Sequence, residues 1–358
     1  MILEGKRVLV TGGTGSMGKT FVRRVLTGEV GTPAKLIVFS RDESKQHDMR
    51  VDYLHRRNTT TDDILYRNFR NLLEFRIGDV RSIADIGAAL RNVDIVVHAA
   101  ALKQVPACEY FPTQAVLTNC IGATNIVQSI QTLSLPIETV IAISTDKACK
   151  PVNVMGMTKA IQERIITSAN LLSPNTRFIC VRYGNVLASR GSVIPLFHDQ
   201  IQSGGPVTIT DESMTRFLLS LEQAVDTVFA ALKGAHAGET YIPIVPGARM
   251  IDIAKALIGE RSIEIKVTGV RPGEKCEEIL ISEEEINHTI RRDNYYVIRP
   301  LLPELLDETE EHPKALAREF CSGDFVLDYD GTVDLLRRNR LMIDDTAGAS
   351  GAELFDMQ

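Results

Sequence analysis

Apolar and polar positions follow two different patterns along this chain. Up to about residue 186, short runs rich in β-branched residues alternate with stretches of helical spacing. The runs are RVLVTG (7–12), KLIVFS (35–40), EFRIGDV (74–80), DIVVHAA (94–100), ETVIAIST (138–145) and RFICVRYGNV (177–186). Most are continuously apolar, as strands covered on both faces of a parallel sheet must be. SMGKTFVRRVLTG and QAVLTNCIGATNIVQSIQTL read as helices between them. The alternation predicts an α/β fold with a doubly wound parallel sheet. Beyond it, glycine and proline punctuate SRGSVIPLF, QSGGPVTIT, IVPGARM and GVRPGEK. The expected organisation is a dinucleotide-binding domain over 1–186, a smaller substrate-binding part over 187–340 interleaved with it, and a polar tail over 341–358.

Composition narrows the function classes. A chain of 358 residues can bury two cores, and a net charge of −6 speaks against a nucleic-acid partner. No apolar run reaches the ~20 residues of a membrane span, and MILEGKRVLVTGG reads as a strand entering a turn, not as a signal peptide. The six cysteines are scattered, with neither a CxxC pair nor zinc spacing, and the histidines form no HxH or HExxH pattern. A cytoplasmic protein without a metal site is the expectation, with His98 a core or loop histidine.

The loop VTGGTGSMG places Gly12, Gly15 and Gly18 between the first strand and its helix, with Ser16 and Met17 among them. Glycine lets the backbone approach a pyrophosphate, and the helix N-terminus offers it free N–H groups. The spacing is GxxGxxG, in the Rossmann position. The second strand ends in Ser40 and Arg41, with Lys45 behind them, where an acidic residue would grip an NAD ribose. Basic residues there complement a 2′-phosphate, so NADP is the expected cofactor, with NAD possible; the alternative is that Arg41 pairs with Asp42 or Glu43. Asp79 and Val80 are placed to meet the adenine, and Ala99 and Ala100, in HAAALKQVP, to run under the cofactor.

TGGTGSMG, HAAALKQVP, STDKA, RYGNV, SRGSVIP, TRF and GVRPGEK together resemble the extended short-chain dehydrogenase/reductase superfamily. Within it the chain is similar to the soluble UDP-N-acetylglucosamine 4,6-dehydratases of polysaccharide biosynthesis, from about residue 5 to 300. The resemblance implies a retained NADP or NAD, a UDP-sugar substrate and a homo-oligomer. It further implies oxidation at C4, loss of water across C5 and C6, and return of hydride to C6.

That family's helix normally carries YxxxK, its lysine lowering the pKa of a tyrosine base. Here Lys159 stands four residues after Met155, which has no titratable proton. Thr145, Asp146 and Lys147 match the branch of the family that inverts C5, which includes active methionine-bearing members. The resemblance makes Lys147, once neutral, the base for C5 and Asp146, once protonated, the acid for the departing C6 oxygen. The expected shifts are a lowered pKa for Lys147, beside Lys159 and a cationic nicotinamide, and a raised one for Asp146. The proton of the C4 hydroxyl could leave through Lys147, Asp146 or a water held by Lys159 and Thr145. Alternatively Met155 only packs against the sugar, or the site is silent and the protein a binding scaffold. A UDP-sugar epimerase is the rival enzyme.

On the substrate side, Asn185 and the backbone after Gly191, with Ser192, resemble a nucleotide-diphosphate cradle. Arg216, Arg271 and Glu274 are expected at the diphosphate and ribose, where the planar arginine fork suits phosphate. Lys103 could reach the sugar or its phosphates; a surface lysine is the alternative.

Overall fold

The computed structural model of the protein describes residues 1–55, 60–187, 189, 192–306 and 313–346. The six expected strands are all present: β1 (Arg7–Thr11), β2 (Lys35–Ser40), β3 (Leu73–Ile77), β4 (Ile95–His98), β5 (Thr139–Ile143) and β6 (Arg177–Val181). They lie parallel in the order β3-β2-β1-β4-β5-β6. This is the doubly wound Rossmann sheet, and its order reverses between β1 and β4, which opens a crevice at their carboxyl ends.

The chain's second part contributes β7 (Asn185–Val186), β8 (Val207–Ile209), β9 (Thr215–Leu219), β10 (Thr240–Pro243), β11 (Gly247–Arg249), β12 (Ile265–Val267), β13 (Ile279–Ile281), β14 (Thr289–Arg292), β15 (Tyr295–Ile298) and β16 (Phe320–Cys321). Of these, β10 extends the main sheet parallel to β6, and the antiparallel β15 and β14 complete its edge. The others form small sheets: β11-β9-β7, β12-β8 and β13-β16. Asn185 and Val186 therefore leave the β6 run and pair with Leu218 and Leu219.

Two apolar cores cover the main sheet, one around Val8, Val10, Val38 and Val97, the other around Leu9, Ile37, Val96 and Val140. Adjacent residues of β1 thus face opposite cores, which is why the strand is apolar throughout. A third core, around Phe197, Ile253 and Leu257, takes in Leu336 and Leu341. Packed chain accordingly continues past residue 340, through a short 3₁₀ turn at Ile343–Thr346. Residues 347–358 of the expected tail lie outside the described residues. Among the described residues, no helix is long and apolar enough to cross a membrane.

Candidate functional site

The three glycines after β1 have different physical duties. Gly12 has φ +69°, and a Cβ on it would stand 2.7 Å from the Ala100 nitrogen. The loop therefore lies against the end of β4, and only glycine permits both the dihedral and the approach. Gly18 seats the helix Ser16–Leu26 on the loop, since a Cβ there would meet Gly13 Cα at 2.5 Å. Gly15 is the N-cap and supplies no side-chain hydrogen bond to that helix. An uncapped N-terminus beside a glycine loop fits a pyrophosphate. Ala99 and Ala100 are half-buried beside it, and the Ala100 N–H donates to Thr11 Oγ1 at 3.3 Å. His98 is fully buried with Nδ1 bonded to Thr11 Oγ1 at 2.8 Å, while its Nε2 has no partner. Burial, reinforced by Lys159, pushes its pKa down to about 3, so the ring is neutral.

At the end of β2 the basic residues have acidic neighbours. Arg41 stands 3.7 Å from Asp79, and Lys45 pairs with Asp42 at 2.6 Å. The partner of Arg41 is thus neither Asp42 nor Glu43. The Lys45 pair is exposed and the Arg41 contact is long, so both cost little to break and both cations can still be recruited by a phosphate. Ser40 Oγ accepts from Gln46 Nε2 at 3.0 Å. Asp79 is gripped by Arg81 at 2.6 Å, and Val80 is buried against the position of Gly122.

The carboxyl end of β5 leads into a short 3₁₀ turn, Asp146–Ala148, whose N-cap Thr145 accepts from the Lys147 N–H. Thr145 Oγ1 also donates to Asp146 Oδ1 at 2.8 Å. Lys147 Nζ lies 3.0 Å from Asp146 Oδ1 and 3.1 Å from Glu278 Oε1. Asp146 is fully buried, and both its Oδ2 and Glu278 Oε2 lack a hydrogen-bond partner. Burial disfavours the Lys147 ammonium, but Asp146 and Glu278 more than offset it and raise the pKa. The expected lowering of Lys147 is therefore corrected: two carboxylates bracket the amine, and they outweigh burial and the Arg216 charge. Glu278 is itself raised, by burial and then by Asp146, against the pull of Lys147 and Arg216.

The helix Val154–Leu172 starts at Asn153, whose side chain caps the Gly156 N–H at 2.8 Å. Gly156 is indispensable here, because a Cβ on it would meet the Lys147 carbonyl at 2.2 Å. The helix thereby stacks on the Asp146–Ala148 turn. Lys159 donates to Gln162 Oε1 at 2.7 Å and to the Ile143 carbonyl at 2.5 Å, and burial lowers its pKa to about 8. Met155 is 5 % exposed and packs with Cys108, Ala115, Leu102, Val105 and Val154. Its surroundings are protein, so the side chain anchors the helix to the segment after β4.

The second part brings some of the expected substrate residues to this cluster. Arg216 is buried, bonded to the carbonyls of Thr215, Cys276 and Lys275, with Nε 4.0 Å from Glu278. Its fork is held mainly by backbone. The RPGEK turn is tied to the helix by Asn153 Nδ2, which donates to the Gly273 carbonyl at 2.8 Å. On that turn Arg271 is exposed and Glu274 half-buried, its Oε2 without a partner. Asn185 and Ser192 are half-buried, and Asn185 Oδ1 and Ser192 Oγ also lack partners. Lys103 is exposed after β4. Gly191 lies outside the described residues.

Sequence reasoning missed Glu278, Gly156 and a π-helical turn at Val116–Ile121. That turn aims Asn119 at Leu102 and Thr158, at 2.8–3.0 Å, which locks the loop after β4 to the helix Val154–Leu172. An acid just before the apolar run Ile279–Ile281 was the available signal for Glu278. Among the described residues, no group of three His, Cys, Asp or Glu could hold a metal ion.

Residues 8–300 match a family of polysaccharide biosynthesis proteins. The chain belongs to this family. This polysaccharide biosynthesis protein is 40% identical, over 87% of each chain, to the UDP-N-acetylglucosamine 4,6-dehydratase (inverting) of Campylobacter jejuni. It is 43% identical, over 82% of each, to a UDP-glucose 4-epimerase of Rickettsia conorii. Its fold is similar to that of Pen from Bacillus thuringiensis, with a TM-score of 0.83 at 33% identity, covering 96% of this chain and 100% of that one. The resemblance drawn from the motifs and the family agree.

Proposed function

We propose that this polysaccharide biosynthesis protein is an inverting UDP-N-acetylglucosamine 4,6-dehydratase that retains NADP. The observation that carries the reading is the amine–carboxyl pair of half-buried Lys147 and fully buried Asp146, 3.0 Å apart at the end of β5. An acid and a base side by side are what removal of a C5 proton and a C6 hydroxyl requires. The glycine loop, with Arg41 and Lys45 for a 2′-phosphate, would hold the cofactor, which when bound accepts hydride from C4 and returns it to C6.

The chain's own groups divide the remaining work. Lys147 passes its ammonium proton to Asp146 across their hydrogen bond, which leaves a neutral base and a neutral acid. The proton of the C4 hydroxyl leaves to a water held by Thr145 as hydride departs. The C5 proton goes to Lys147, and Asp146 protonates the C6 oxygen as it leaves. A solvent-derived proton enters C5 as hydride returns to C6. Thr145 Oγ1, 2.8 Å from Asp146 Oδ1, orients that carboxyl. Lys159 stands at the lysine position of the family's YxxxK motif, which in that family holds the cofactor ribose, and would do so here. Met155 carries no proton at any step.

A UDP-sugar epimerase is the second reading, favoured by the Rickettsia relative's name. A simple C4 epimerase has no use for a C5 base or a C6 acid. Incubation with UDP-N-acetylglucosamine in heavy water, followed by NMR, separates the two. A 4-keto-6-deoxy product carrying deuterium at C5 is expected; a C4 epimer that keeps its C6 hydroxyl would overturn the dehydratase. The mass of the co-purifying nucleotide identifies the cofactor. Arg41→Ala should shift preference from NADP towards NAD by about tenfold, as loss of one phosphate ion pair does.

A further inference from the structure

Glu278 performs none of the steps above, yet three strands converge to hold it. Its N–H donates to Ser322 Oγ at 3.0 Å, and its carbonyl accepts from the Ser322 N–H at 2.8 Å. Ser322 Oγ is bonded to Thr215 Oγ1 at 2.7 Å, and the Thr215 N–H donates to the Cys276 carbonyl at 3.0 Å. Segments around β9, β13 and β16 therefore fix one carboxylate. Its side chain is 3 % exposed.

Such a group is costly to bury unless its charge is used. Arg216 does not claim it, since its two Nη atoms serve backbone carbonyls and its Nε stands 4.0 Å away. The short contact of Glu278 is to Lys147, at 3.1 Å. Asp146, Lys147 and Arg216 are the charged groups that face it. Asp146 has a second task, delivery of a proton, and cannot also be a constant anion. Glu278 can.

We propose that Glu278 is a positioning residue for Lys147: it fixes the amine and stabilises the ammonium that forms when the C5 proton arrives. The inference rests on the dehydratase reading. In the step concerned, the C5–H bond breaks and an N–H bond forms on Lys147. The C5–H electron pair becomes the C5–C6 double bond as the C6–O bond breaks, and the oxygen departs as water with the proton from Asp146. Glu278 remains a carboxylate throughout, as the buried acid behind the general base does in hydrolase triads. The raised pKa of Lys147, which Asp146 and Glu278 hold up against burial, is in keeping with this role.

The test uses the NADP-loaded full chain, with Glu278→Gln to keep shape without charge and Glu278→Asp to keep charge with shorter reach. Dehydration of UDP-N-acetylglucosamine and the NMR titration of Lys147, assigned with Lys147→Arg, are both read. Glu278→Gln should lower kcat about ten- to a hundredfold, as loss of a charge-assisted hydrogen bond does, with KM within about threefold. The Lys147 titration should move to lower pH, because a stabilising anion has gone. Glu278→Asp should recover part of the rate. An unchanged kcat in Glu278→Gln, or equal losses in both variants with a stationary Lys147 titration, overturns the inference while the dehydratase stands. No product from the wild type with the UDP-sugar bound overturns the parent reading, and this role with it.

Discussion

Two buried clusters in this protein each place one cation between two carboxylates, and they are finished differently. Arg182 binds Glu163 through Nε and Nη2, at 3.0 and 2.7 Å, and Glu285 through Nη1 and Nη2, both at 2.8 Å. Glu285 Oε2 also accepts from the Ser282 N–H at 3.0 Å, so every carboxylate oxygen has a partner. Around Lys147, by contrast, Asp146 Oδ2 and Glu278 Oε2 have none. A guanidinium offers five donors in a rigid fork, whereas an ammonium offers three on a flexible stem. Evidently the arginine closes its cluster and the lysine leaves one open. Glu285 is pulled down to about 2 because Arg182 overrides its burial, while Glu278 is raised because burial and Asp146 prevail. The complete cluster is framework. The incomplete one leaves Asp146 an unpartnered oxygen that can take a proton.

The sharpest way to break this contrast is to remove each cation. Lys147→Met should lower dehydration by roughly 10³-fold, the scale of a lost general base, while the chain still carries its nucleotide. Unchanged turnover would remove Lys147 from the reaction. Arg182→Met should instead destabilise the fold by about 3–5 kcal/mol in urea denaturation, because two buried carboxylates lose their partner. Turnover per folded molecule should stay within about threefold, and a much larger loss would mean the frame is part of the site.

Acid titration gives a smaller effect. The pKa of Glu285 lies below its ordinary 4.5, so its contribution is present above that value and is lost as pH falls towards about 2. Stability against urea should fall through that window, and Glu285→Gln should flatten the fall. Glu278 is raised, so its contribution is present at low pH and lost as pH rises through its folded pKa, a slope of the opposite sign. Parallel profiles for the two Gln variants would erase the distinction. The smallest effect belongs to Met155→Leu, a swap of similar volume in a packed site. It should cost under about 1.5 kcal/mol and change turnover less than threefold. A larger kinetic loss would give the thioether a part in the chemistry.

The strands of the first half were legible because each is apolar along its length, and the parallel sheet is the arrangement that hides both faces. The glycine loop was legible because strand, glycines and helix are contiguous. Thr145, Asp146, Lys147 and Lys159 were legible through a motif held within one strand–turn–helix segment. Glu278 was not, because its meaning depends on Lys147, which lies 131 residues earlier. The fate of Asn185 was hidden for the same reason: nothing local tells a strand to leave β6 and pair with β9.

By itself the sequence determined the periodicities, the turn that a phosphate can approach, and the absence of a phenol at position 155. Those are properties of neighbouring residues, and short-range sterics and hydrogen bonding act on neighbours. Only the tertiary structure decided that Lys147 sits between two acids, that its pKa rises where a fall was expected, and that Met155 faces protein. Charge and burial act through space, and it took the folding of the second part back onto the first to bring Glu278 within 3.1 Å of the amine.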